Sequence, residues 1–139
     1  MSALDTVIRV SERSPRFGLA QWALRVPLAA ILVHQGILKV EGGMAANAEA
    51  FGIALWAFAL ATLADFAAPA ALILGGLILH WSGDVLTRLA GFAIAASTLA
   101  VIVVVYGGGH WLGWQFQALI TAGGLFFLLR GNEATARNP

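Results

Sequence analysis

AFGIALWAFALATLADFAAPAALILGGLILHW, residues 50–81, carries one charged side chain, Asp65. A stretch this long and this apolar has no place on a soluble surface. In a bilayer it must satisfy its own backbone N–H and C=O groups, which a helix does. It is rich in Ala and Gly and shows no alternation, which argues against a barrel. A helix of about 20 residues crosses the hydrocarbon core, so the stretch is too long for one simple span. Asp65 and Pro69 sit in its middle and divide it. The reading is a short interfacial or re-entrant helix over about 50–62, with Trp56 and Phe58 at the interface, then a span over about 64–81. A single long tilted helix is the alternative.

The rest of the chain repeats the pattern. Of its 139 residues, 60% are hydrophobic and 11% charged, against roughly a quarter charged in soluble domains. The charges gather in residues 1–25, 39–49, 84–88 and 130–137. Three further spans lie between these clusters, at about Phe17–Val40, Val85–Tyr106 and Trp111–Leu129. Pro27 falls inside the first and is placed to kink it. The first hydrophobic segment contains Arg25 and has no small-residue cleavage site after it, so it reads as a retained helix. SGDVLTR (residues 82–88) reads as a tight polar turn, with Asp84 and Thr87 as helix-cap candidates. The fold expected is therefore all-α: an integral membrane four-helix bundle with a short interfacial or re-entrant helix before the second span. One domain covers residues 17–130, with polar tails at 1–16 and 131–139. If the N-terminus lies in the cytoplasm, Arg9, Arg13, Arg16, Arg88, Arg130 and Arg137 fall on that side, as the bias of basic residues requires. Both termini are then cytoplasmic.

The net charge of +1 gives no reason to expect nucleic acid as a partner, and there is no cysteine to act as a thiol nucleophile or thiolate ligand. No hydrolase triad, phosphate loop or metal-ligand spacing appears. What remains is a small set of polar groups inside the spans, where such groups are expensive and mark function by default. His34, Gln35 and Lys39 fall near the outer end of the first span, Asp65 near the outer start of the second, and Gln115 and Gln117 at the outer start of the fourth. The candidate ligand site is an outer-leaflet pocket of His34, Lys39, Asp65 and Gln117, shaped for a polar head group or a quinone ring. Lys39 and Asp65 are natural partners, because either charge alone is costly there. The bland reading has Lys39 snorkelling to the interface, Asp65 capping a helix and the glutamines bridging helices. Arg25, a third of the way into the first span, either snorkels or pairs with a carbonyl or carboxylate in the bundle. Arg25 and Arg88 are assigned as structural polar residues. A haem needs two facing histidines at one depth. His34 and His80 lie near opposite faces, which leaves only His34 with His110. The tryptophans Trp22, Trp56, Trp81, Trp111 and Trp114 sit at expected interfaces. The runs at Gly75-Gly76, Ala93–Ser97 and Gly123-Gly124 are packing signals.

Over roughly residues 20–130 the chain resembles the DoxX-like family of small bacterial membrane proteins. The segment from Arg25 through Gly36 to Lys39 looks like that family's first-helix signature, in which an Arg precedes an apolar run ending in Gly-x-x-Lys. Asp65, ahead of Gly75-Gly76, looks like its acidic residue opening the second span. Leu86-Thr87-Arg88-Leu89-Ala90 is similar to its Thr-Arg-x-Ala start of the third. Gln117 stands where a polar or acidic residue is expected in the fourth. The resemblance implies a four-helix fold in the bacterial inner (cytoplasmic) membrane and a link to quinone or sulfur redox chemistry. A quinone is then the one cofactor implied, and other membrane or redox subunits are the partners. Without cysteine the chain itself cannot shuttle thiol electrons. The alternative expectation is a non-catalytic accessory subunit packed against a larger respiratory or photosynthetic membrane complex.

Overall fold

A computed structural model describes residues 20–107 and 109–132. The expected tail at 1–16 and residues 133–139 of the other tail lie outside them. The described residues form α1 (Trp22–Val40), α2 (Met44–Ala50), α3 (Leu55–Leu77), α4 (Trp81–Val105) and α5 (Trp111–Arg130), with no strand among them. The four long helices are apolar and long enough to cross a membrane. The architecture is the expected all-α bundle of four candidate spans plus one short helix.

The long apolar stretch divides differently from its sequence reading. The short helix is α2, upstream of residue 50, and α3 runs unbroken through Asp65 and Pro69. The break falls at Phe51–Ala54, where Gly52 takes φ +64. Pro69 removes one intrahelical N–H, and neighbouring helices in a bundle tolerate that loss. Its ring is fully buried, packed into the helix interface. The carboxylate of Asp65 is paired rather than capping a helix. SGDVLTR is not a turn either. His80 is the extended N-cap residue of α4, and Asp84 and Thr87 lie inside the helix. Asp84 and Arg88 form an i,i+4 ion pair there, which is a helical spacing.

Packing follows chain order: α1 lies against α3, α3 against α4 and α4 against α5, while α2 rests mainly on α3. Each long helix contributes to one apolar core, with Leu28 and Leu32 from α1, Ala68 and Leu72 from α3, Ala90 and Ile94 from α4, and Ile120 and Phe127 from α5. Glycine sets the closest approach. A Cβ on Gly91 would lie 2.4 Å from the Leu128 nitrogen, and one on Gly124 would lie 2.7 Å from the Ala95 nitrogen. The backbones of α4 and α5 therefore meet directly, as small residues allow between membrane helices. Outside this core, Leu60, Leu63, Leu89, Val103, Leu119 and Leu129 stay exposed. Exposed apolar area on that scale marks a surface made for lipid. Every tryptophan stands in the first turn of a long helix: Trp22 in α1, Trp56 in α3, Trp81 in α4, and Trp111 and Trp114 in α5.

Candidate functional site

The polar residues gather at the two ends of the bundle. At one end, Lys39 in the last turn of α1 donates to Asp65 Oδ2 of α3 at 2.5 Å. The carboxylate side chain is 4% exposed and the lysine 22%, so the acid is enclosed while the ammonium reaches the rim. Their approach depends on Gly36, one turn before Lys39. A Cβ there would lie 2.8 Å from the Phe66 ring and 3.2 Å from Asp65 Cβ. Asn47 of α2 finishes the corner. Its amide nitrogen donates to the carbonyls of Lys39 at 2.9 Å and Glu41 at 2.8 Å, satisfying groups that the end of α1 leaves open. The backbone must reverse at Gly42 and Gly43, whose φ values are +81 and +98. This is the region glycine enters without penalty.

His34 lies five residues earlier on α1 and is exposed. With Val33, Ile37, Phe66, Ala70 and Leu74, it lines a groove of about 780 Å³ between α1 and α3. It is the one polar side chain among the lining residues. Pro69 also borders the groove and has no N–H to offer the carbonyl of Asp65, its i−4 neighbour. Gln117 stands apart. It is on α5, where its backbone carbonyl accepts from the Thr121 hydroxyl at 2.8 Å, and Thr121 pairs with Thr98 of α4 at 2.8 Å. No hydrogen bond or ion pair joins Gln117 to Lys39 or Asp65 among the described residues. Of the four expected pocket residues, two are bonded to each other, His34 lines the neighbouring groove, and Gln117 lies on α5 with no bond to the other three among the described residues.

The other end is built around Arg25, which is 1% exposed. It reaches carbonyl rather than carboxylate oxygen. Nη1 donates to the Leu72 carbonyl and, at 3.2 Å, to the Thr87 hydroxyl; Nη2 donates to Gln21 Oε1 at 3.2 Å and to Asn132 Oδ1 at 2.8 Å. The guanidinium carbon lies 4.7 Å from the Phe127 ring centroid and 5.4 Å from that of Trp22, within cation–π range of both. Gly76 makes room for it, since a Cβ there would come within 2.9 Å of the group. Asn132, read from the sequence as tail, is inside the bundle and 8% exposed. Besides holding Arg25, it accepts from Thr87 at 3.0 Å, donates through its amide to the Gly75 carbonyl, and donates its backbone N–H to Asp84 Oδ1 at 2.6 Å. Arg88 takes the other oxygen of Asp84 at 2.8 Å and donates to the carbonyls of Leu128 at 3.0 Å, Leu129 at 2.9 Å and Arg130 at 3.3 Å. A cation there meets the negative end of the α5 dipole. Arg25 and Arg88 are thus each bonded across to neighbouring helices, and Asn132 is the member that sequence reading missed.

The described residues contain no group of three His, Cys, Asp or Glu side chains able to hold a metal. Comparison with protein-family models, with curated proteins and with solved structures finds no match.

Proposed function

We propose that the chain is a membrane subunit that binds a quinone-class ligand in the groove between α1 and α3; its resemblance to DoxX-like proteins implies the link to quinone or sulfur redox chemistry, and the groove supplies the place. The observation that carries this reading is His34: a single imidazole set in an otherwise apolar, membrane-facing groove. Such a site suits a flat ring with a carbonyl and a hydrocarbon tail, since ligand sites pair apolar walls with few polar groups. In this reading an imidazole N–H of His34 donates to the ligand carbonyl. Val33, Ile37 and Phe66 pack the ring, and the tail follows the wall toward Ala70 and Leu74. Asp65 holds Lys39 at the rim, and that ammonium keeps two further N–H donors. Gln117 takes no part. Any thiol electron chemistry then belongs to a partner subunit, because the chain supplies no thiol. The Arg25, Arg88 and Arg130 end faces the cytoplasm of a bacterial inner membrane, by the bias of basic residues.

The test is a titration of the purified protein in nanodiscs with a short-chain ubiquinone analogue, read by tryptophan quenching. Saturable quenching is expected. His34→Ala should weaken it about three- to tenfold, the worth of roughly one hydrogen bond, and Ala30→Phe should abolish it by filling the groove. The absence of saturation, or identical titrations for native protein and His34→Ala, overturns the proposal.

One observation favours the accessory-subunit reading: Ala29, Ala30 and Ala70 floor the groove, and small residues admit a neighbouring helix. Stoichiometric co-purification with a larger complex that Ala30→Phe disrupts, without any quinone response, would establish it.

A further inference from the structure

Gly36 is buried in α1, at the level where that helix meets Asp65 and Phe66 of α3. A Cβ built on it would lie 2.8 Å from Cζ and 2.9 Å from Cε2 of the Phe66 ring, and 3.2 Å from Cβ of Asp65. Carbon atoms do not pack at the first two distances, so the far edge of the ring fills the space that any side chain at 36 would need. Asp65 is poorly placed to yield, because its carboxylate is held by Lys39. Phe66 is free to do so: it is 38% exposed, and its ring edge swings with χ1 and χ2. Phe66 also borders the groove, together with Val33, His34 and Ile37 of α1, whereas Gly36 is not among the residues that line it. One ring thus rests on the helix at Gly36 and walls the groove that holds His34.

We infer that Gly36 seats the Phe66 ring as one wall of a slot for the flat head of the ligand, and so determines which heads the groove accepts. This role rests on the quinone-class reading of the groove given above. Gly36 does not touch the ligand; it is a positioning residue that acts through Phe66. A side chain at 36 drives the ring edge off the α1 backbone and toward the open side of Phe66, which is the groove. The slot for a flat head then closes, while the apolar path along Ala30, Ala70 and Leu74 keeps its width. A ligand with a ring loses its contact with Phe66, and a ligand made of a tail and a hydroxyl does not.

The test uses the full chain in nanodiscs and the tryptophan-quenching titration, with ligand counted per mole of lipid. The probes are the short-chain ubiquinone analogue and, as its competitor, decanol, which has a hydroxyl and no ring. Gly36→Ala should weaken the quinone roughly two- to tenfold, the worth of one aromatic contact, and leave the competition constant of decanol unchanged. Phe66→Leu has no ring edge to meet the new Cβ, so adding Gly36→Ala to it should cause no further loss. Native quinone binding in Gly36→Ala, an equal loss for both probes, or a loss that persists in the Phe66→Leu background overturns the role of Gly36 and leaves the quinone reading standing. A native protein without saturable quenching removes both. Should decanol fail to compete, the Phe66→Leu background decides alone. Should Gly36→Ala fail to fold, Phe66→Leu by itself must weaken the quinone more than decanol, and equal losses sink the idea.

Discussion

Removing either member of the Lys39–Asp65 pair should destabilise the bundle, and the two losses should be unequal. Lys39→Met leaves a carboxylate whose side chain is 4% exposed, with no other cation bonded to it among the described residues. Stranding a buried charge costs about 3–5 kcal/mol. Asp65→Asn leaves an ammonium whose side chain is already 22% exposed and whose stem can swing its head to the interface. That loss should be about 1–2 kcal/mol, near the worth of a charge-assisted hydrogen bond. The double variant Lys39→Met with Asp65→Asn removes the stranded charge and should recover about 2 kcal/mol of the Lys39→Met loss, within the usual range of coupling energies. The assay is reversible unfolding in mixed micelles of mild detergent and increasing dodecyl sulfate, followed by circular dichroism. Equal losses from the two single variants, or strictly additive losses in the double variant, would refute the argument from unequal burial. The series also separates support from ligand binding. If the pair only holds α1 against α3, Asp65→Asn should leave quinone quenching saturable while lowering stability.

Gly91→Ala should cost about 2–3 kcal/mol, because its Cβ meets backbone atoms of α5 at 2.4 Å and 2.6 Å, which is overpacking at its worst. Gly123→Ala, whose nearest neighbour is a Leu28 methyl at 3.1 Å, should cost under about 1 kcal/mol; the same micelle titration compares them. Arg88→Met should cost about 1–2 kcal/mol by uncapping α5 and speed amide exchange in its last turn. Asn47→Ala should cost about 1 kcal/mol, with proteolysis between Val40 and Met44 as the readout.

The four long helices were legible because apolar length in lipid admits one backbone solution. The Lys39–Asp65 pairing was legible too, because two opposite charges at one depth have few alternatives. Asp65 and Pro69 misled for the same reason that they matter. Each breaks a helix in isolation, and each is tolerated once a neighbouring helix supplies a cation or packs the ring. The true break at Phe51–Ala54 carried only Gly52 as its signal. SGDVLTR looked like a turn by composition, yet Gly83 sits in α4 because a Cβ there would lie 2.1 Å from the Ile78 carbonyl oxygen. Asn132 was hidden because nothing local marks a polar residue after a helix as buried. The one clue was indirect: Arg25 needed acceptors, and its own helix could not supply them all.

The tryptophans at the helix starts have a consequence for the membrane itself. Because neighbouring spans run in opposite directions, these rings fall into two planes, Trp22 and Trp81 in one, and Trp56, Trp111 and Trp114 in the other. Between the planes, α1 has 19 residues, a length of roughly 28 Å at about 1.5 Å per residue, whereas α4 has 25. The shortest helix sets the hydrophobic thickness that the molecule matches without distortion, and the longer ones meet it by tilting. A hydrocarbon core of roughly 28 Å is the one α1 crosses without distortion. Since α1 also forms one wall of the His34 groove, a thicker bilayer would strain first the helix on which the proposed ligand rests.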